Sequence, residues 1–347
     1  MDTRRHSYRA IALILVCSIV AASLSGCRAF RGGRHGGASV VEGDLDAALD
    51  GGPTTAQGYL EQADAQLNAG DKDAALQAFS AAIEMNPKLF RAHMGMGDIY
   101  RETEDYEQAE KSYRHAVESN PRSYEANYFW GMVLHQLNRI GEAIRAYRAA
   151  LTLQPRSHEA NLNLATAYLQ LDQAIEAYPF AKAAAALQPD HGPTQANLGV
   201  IQAAMGQHEE AVKSYHKALE LLEPSPEMVL NLVESYRVLG RHSEMANSLE
   251  ALVRVEGSAA ANERLGFAHF KLRQFDESIK AYRQALTFDD QYFPAMNGLA
   301  VNLLNQFIRS DRQNVAALGE AIELLRQSLQ IERDQPRIVE LLSRYGR

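Results

Sequence analysis

Between residue 56 and the C-terminus, apolar and small residues recur at helical spacing, and no run of β-branched residues alternates with polar ones. The pattern predicts helices and no strands. Its long-range order is stricter still. Pro87, Pro121, Pro155 and Pro189 fall 34 residues apart, and so do Ala75, Ala109, Ala143, Ala177 and Ala211. Ala82, Ala116, Ala150, Ala184 and Ala218 keep the same interval. Gly97, Gly131 and Gly199, with Ala165 in the open rung, form a fourth ladder, and Phe79, Tyr113, Tyr147 and Tyr215 a fifth. Ladders that share one period mark a repeat array, in which each unit buries its apolar face only against its neighbours.

The order of these residues resembles the tetratricopeptide repeat: a bulky residue and Gly or Ala in a first helix A, then Ala, aromatic, Ala and Pro through helix B. Residues 90–123 are the clearest copy, with Met96, Gly97, Tyr100, Ala109, Tyr113, Ala116 and Pro121 in family positions. The resemblance implies an all-α, right-handed superhelical solenoid. Gly or Ala lets the paired helices approach, the aromatic fills the gap to the next repeat, and Pro ends helix B because it lacks an N–H. Eight repeats are expected, at 56–89, 90–123, 124–157, 158–191, 192–225, 226–258, 259–292 and 293–336. Three depart from the pattern. The sixth has Met245 and Leu252 where Ala is usual, Pro179 in the fourth should kink helix B or delay its start, and an insertion around 306–318 should lengthen the inter-helix region of the eighth. Residues 337–347, with Ile338, Leu341 and Leu342 on one side, read as a capping helix.

The N-terminus carries a different signal. Arg4, Arg5 and Arg9 precede an apolar run at 10–22, too short to span a bilayer, and then small residues, the three parts of an export signal. Leu24-Ser25-Gly26-Cys27 resembles the lipobox of bacterial lipoproteins, which implies cleavage of residues 1–26 and a lipid on Cys27. Cys17 would leave with the signal, so no thiol pair would remain for a disulfide. Residues 27–55 are Gly-rich and lack amphipathic periodicity. They read as a flexible tether reaching roughly 30 Å root-mean-square. Arg28, rather than Asp, after the Cys favours the outer membrane facing the periplasm over the inner one.

A formal net charge of -8 and the lack of a basic stripe argue against nucleic-acid partners. No nucleophile elbow, phosphate loop or helix with metal ligands at i and i+4 is found. His93, His115, His135 and His158 occupy different repeat positions and read as solvated helix residues, and Glu209-Glu210 as solvated surface. No catalytic residue, cofactor, metal or small-molecule substrate is expected.

The resemblance instead implies a concave face built from the A helices. With each repeat numbered from its first residue, Asn163, Asn197 and Asn231 share position 6. They resemble the asparagine ladder of O-linked N-acetylglucosamine transferases, which implies contact with the backbone of an extended peptide, since a carboxamide both donates and accepts. Tyr128, Phe129 and Met132 stand beside them as a candidate apolar pocket. The expected function is a lipid-anchored envelope scaffold that binds protein or extended peptide partners. An accessory subunit presenting substrates to a separately encoded transferase or hydrolase is the alternative, favoured by the ladder.

Overall fold

The computed structural model describes residues 53–346. The export signal, Cys27 and nearly all of the tether lie outside them. Among the described residues the chain forms helices alone: α1 (Ala56–Ala69), α2 (Lys72–Met85), α3 (Phe90–Glu102), α4 (Tyr106–Ser119), α5 (Tyr124–Gln136), α6 (Ile140–Leu153), α7 (His158–Gln170), α8 (Ala174–Leu187), α9 (Gly192–Ala204), α10 (His208–Leu221), α11 (Pro226–Leu239), α12 (His242–Val255), α13 (Ala259–Lys271), α14 (Phe275–Phe288), α15 (Phe293–Arg309), α16 (Val315–Ile331) and α17 (Pro336–Tyr345). They fall into two units, 53–201 and 202–346. Through α1–α8 in the first and α10–α17 in the second, each helix packs against the next in the chain. Each expected repeat is one helix pair.

Local chemistry sets the ends of these helices. Asp71, Asp105, Ser123, Ser157, Ser225, Ser258 and Asn314 cap N-termini by accepting a backbone N–H from the first turn. The turn inside each of the first seven repeats is made by position 15. There Gly70, Glu104, Asn138, Asp172, Gly206, Gly240 and Arg273 hold φ between 58° and 82°. That left-handed residue lets the following N–H reach back over the turn, as from Arg139 to the Leu134 carbonyl at 2.8 Å and from Gln173 to that of Tyr168 at 3.0 Å.

The alanine ladders line the helix contacts. Ala75, Ala109, Ala143, Ala177 and Ala211, and Ala82, Ala116, Ala150, Ala184 and Ala218, are wholly buried. The aromatic at position 24 lies over the position-8 glycine of its own repeat: a Cβ on Gly97 would fall 2.6 Å from the Tyr113 ring, and one on Gly131 2.7 Å from that of Tyr147. Its other side meets position 6 of the next repeat, where Gly95 faces Phe79 and Gly298 faces Tyr282. The aromatic thus joins both helices of its own repeat to the next.

The departures resolve differently from expectation in two places. Pro179 lies inside α8, yet α8 begins at Ala174, in register with α6, so its start is not delayed. The carbonyl that Pro179 leaves unbonded belongs to the exposed Ile175, within reach of solvent. The insertion in the eighth repeat goes mostly into helix, because α15 and α16 each run 17 residues against 13 or 14 elsewhere in the repeats. In the sixth repeat the register holds, with Met245 and Leu252 buried at the alanine rungs. The last helix starts at Pro336 and buries Ile338, with Leu341 and Leu342 packed beside it, against Leu299, Ala321 and Leu325.

Candidate functional site

Of the A-helix residues that sequence reasoning singled out, Tyr128, Phe129, Met132, Asn163 and Asn197 lie in the first unit and Asn231 in the second. Asn163 of α7 donates Nδ2 to Tyr128 Oη of α5 at 3.2 Å, and Asn197 of α9 donates Nδ2 to Thr166 Oγ1 of α7 at 2.9 Å. Asn163 and Asn197 therefore each bond to the preceding A helix. Both side chains are buried, and both carboxamide oxygens lack a partner among the described residues. In the second unit Asn231 is also buried, and its unpartnered atom is Nδ2. At two rungs one carboxamide N–H is used within the chain, while the oxygen has no partner among the described residues.

Tyr128 and Met132 belong to a buried cluster with Leu134, Ile144, Tyr147 and Leu164, so the expected apolar pocket is filled by packing between the third and fourth repeats. Tyr128 stacks on Tyr124 with centroids 5.6 Å apart. Phe129 is half-buried, stacks on Tyr113 at 5.8 Å and carries the Arg101 guanidinium 5.2 Å from its centroid. Arg101 Nε donates to Tyr113 Oη, which donates to Asp98 Oδ1 at 2.7 Å. Burial raises the Asp98 carboxyl above its usual range, against the Tyr113 bond and Arg101 charge that lower it. It pushes the Tyr113 phenol up far more.

Three of the four histidines are not the solvated residues expected. His93, His135 and His158 are buried, and their Nε2 atoms bond the Pro87 carbonyl at 2.9 Å, Gln170 Oε1 at 2.8 Å and Thr194 Oγ1 at 2.7 Å. His115 is exposed, as are Glu209 and Glu210, of which Glu209 pairs with Arg241 at 2.7 Å. Among the described residues no three His, Cys, Asp or Glu side chains gather as metal ligands, and no helix is long and apolar enough to cross a membrane.

A second ladder escaped the sequence reading. At position 4, His93, Asn127, Asn161 and Gln195 reach back to the carbonyls of Pro87, Pro121, Pro155 and Pro189, the prolines that end each preceding helix B. Each proline stands one residue beyond the C-cap of its helix, and a side-chain N–H at position 4 gives its carbonyl a partner. The signal was present as a nitrogen donor every 34 residues, but three residue types share the role.

Tetratricopeptide repeat models match residues 42–90, 60–123, 94–158 and 130–192, then 193–221 and 259–292. The chain belongs to the tetratricopeptide repeat family. Such an array is a protein-interaction scaffold. No curated protein matches the chain in sequence. Among solved structures it is similar to a tetratricopeptide repeat protein from Parabacteroides merdae, at 14% identity and a TM-score of 0.49 over 72% of this chain and all of that one. It is also similar to PilF of Pseudomonas aeruginosa, at 18% and 0.47 over 58% and 91% of the two chains. PilW, described as a type IV pilus biogenesis factor, is similar at 22% and 0.46 over 58% and 94%.

Proposed function

We propose that this repeat protein is an adaptor tethered by a lipid on Cys27 to a bacterial envelope membrane, the outer one facing the periplasm, where it holds extended segments of partner proteins along its A helices. One observation carries the binding part of this reading. Asn163 and Asn197, at the same position of successive repeats, hold buried carboxamide oxygens that have no partner among the described residues. A buried acceptor without a partner is costly, and a peptide N–H relieves that cost. Because a backbone N–H is common to all residues but proline, such contacts would read shape and extension rather than sequence. The anchor rests on the apolar run ending in Leu24-Ser25-Gly26-Cys27, and its service to envelope assembly, secretion or wall remodelling on that address.

Two measurements test the proposal. Metabolic labelling with a palmitate analogue should mark the wild type and leave Cys27→Ser unmarked; equal labelling refutes the anchor. Partner affinity should fall for the folded triple variant Asn163→Ala, Asn197→Ala, Asn231→Ala, by roughly 2- to 10-fold for each neutral bond lost. Unchanged affinity would make the asparagines purely structural.

A further inference from the structure

Four A helices are preceded by a serine whose hydroxyl accepts the backbone N–H three residues on: Ser123, Ser157, Ser225 and Ser258. The same place before α9 is held by His191, whose Nδ1 meets the backbone N–H of Thr194 at 3.3 Å. That N–H also reaches the His191 carbonyl at 3.1 Å, so ring and carbonyl share it. A helix start that serine caps elsewhere is capped here by a group that titrates.

The cap belongs to a closed network with α7. Thr194 Oγ1 lies 2.7 Å from His191 Nδ1 and 2.7 Å from Nε2 of His158, the first residue of α7. Thr194 is wholly buried, His158 is buried and His191 half-buried. The two imidazoles meet edge to face with centroids 4.8 Å apart. A backbone N–H can only donate, so the His191 Nδ1 it meets carries a lone pair and the ring proton is on Nε2. Thr194 then gives its hydroxyl proton to that lone pair and accepts from His158 Nε2–H.

This arrangement holds only while His191 is neutral. A further proton must enter on Nδ1, where it turns the acceptor into a donor facing the Thr194 N–H and hydroxyl. It also sets a positive charge at the N-terminus of α9, where the helix dipole opposes it. His158 and Glu159 face His191 from α7, and Asp190 precedes it in its own loop. Glu159 is engaged by His158, whose Nδ1 is 3.7 Å from its Oε1 and whose ring holds its carboxyl down to about 2. Burial, and then the charge on His158, hold the His191 pKa below its ordinary value against the weaker pull of Glu159.

We propose that His191 is an acid-released clasp between α7 and the first turn of α9, closed while its ring is neutral and opened when Nδ1 takes a proton. Above about pH 6.5 the clasp contributes its full stability. As pH falls from there toward the lower value of the closed state, the opened form takes up a proton that the closed form refuses. Closure then weakens by up to about 10-fold per pH unit. The freed turn leads into Asn197, so acidification loosens the A-helix face at that rung. The inference rests neither on the anchor nor on peptide binding by the asparagines.

The test is hydrogen exchange of the full chain, corrected for the intrinsic rate at each pH, beside His191→Ser, which installs the cap of the other repeats. Every other histidine is common to both proteins, so the difference between them is the readout. From pH 6.5 to 5.0 the wild type should lose roughly 3- to 10-fold more protection over residues 194–200 than the variant. The two should change alike over 56–120. The His191 ring resonance, assigned by its absence from the variant, should titrate with a midpoint below about 6.5. Circular dichroism at pH 7.5 checks that the variant is folded, and His191→Asn, a cap that does not titrate, replaces it if it is not. Equal pH dependence of the two proteins over 194–200, an equal excess loss over 56–120, or a midpoint at or above the ordinary value would overturn the inference. None of these results bears on the palmitate labelling or the triple-asparagine affinity, so the two readings fail separately.

Discussion

Gly97→Ala adds one methyl group at a place the packing has closed. Its Cβ would lie 2.6, 2.7 and 2.9 Å from three atoms of the Tyr113 ring, where unstrained carbons sit about 3.5–4.0 Å apart. Tyr113 is wholly buried, and its hydroxyl is held by Asp98 and Arg101, so the ring cannot retreat without breaking those bonds. Alanine favours a helix over glycine by about 1 kcal/mol. Against that stand overpacking at about 1–3 kcal/mol and strain on a hydrogen bond to a charged group worth about 1.5–3 kcal/mol. The net should be destabilising by about 1–3 kcal/mol. Gly141→Ala is the matched control, because nothing lies within 4 Å of its Cβ position in α6; it should stabilise by up to ~1 kcal/mol. Hydrogen exchange under mild denaturant would read both. Protection should fall over α3–α6 in Gly97→Ala, since repeats couple to their neighbours, and rise locally in Gly141→Ala. If the two changes had the same sign, or if protection fell evenly from 56 to 200, the close approach of ring and glycine would not be what holds the repeat.

Asn161→Ala should cost about 1–2 kcal/mol by leaving the Pro155 carbonyl without its side-chain donor; denaturant midpoints would show it, and an unchanged midpoint would empty the position-4 ladder of meaning. Arg273→Gly should stabilise by about 0.5–1 kcal/mol, since a left-handed conformation costs an L-residue roughly 1–2 kcal/mol and glycine returns part of that as lost entropy. A lowered melting temperature would contradict it. Burial depresses the His135 pKa, and its Nδ1 has no acceptor for a second proton. As pH falls below about 6.5 the unfolded chain takes up a proton that folded His135 refuses, so stability drops until the folded pKa is reached. His135→Gln should flatten that slope between pH 6.5 and 5 relative to wild type, and parallel profiles would refute the assignment.

The repeat period was legible because it is written in residues whose size is their function. A small rung lets paired helices pack closely, so Ala109 and Ala116 recur as letters, although Met245 and Leu252 fill these rungs in the sixth repeat. Position 15 is set by backbone conformation, which Gly, Asn and Asp adopt most readily, yet Glu104 and Arg273 adopt it too and hide the ladder. Position 4 requires only a nitrogen donor of suitable reach, and histidine, asparagine and glutamine all serve. The insertion was visible as extra residues, but its fate was not. Whether an insertion lengthens loop or helix depends on what the added turn packs against, and Phe307 is buried there.

Position 6 shows how a recognition motif and a packing rule come to share a residue. Whatever stands there faces the position-24 side chain of the repeat before it, so its first constraint is fit: Gly95 against Phe79, Phe129 stacked on Tyr113, Gly298 against Tyr282. At Asn163 and Asn197 that constraint is met by a polar group whose amine half ties successive A helices together and whose oxygen is left over. The two halves make separate contributions. Loss of the Nδ2 bond weakens the array whether or not a partner is present, whereas loss of the oxygen is felt only when a partner's N–H would have met it. Asn163→Ala removes both at once, so its affinity change must be read beside its stability change. Only a loss of affinity that persists once both proteins are shown to be fully folded belongs to recognition.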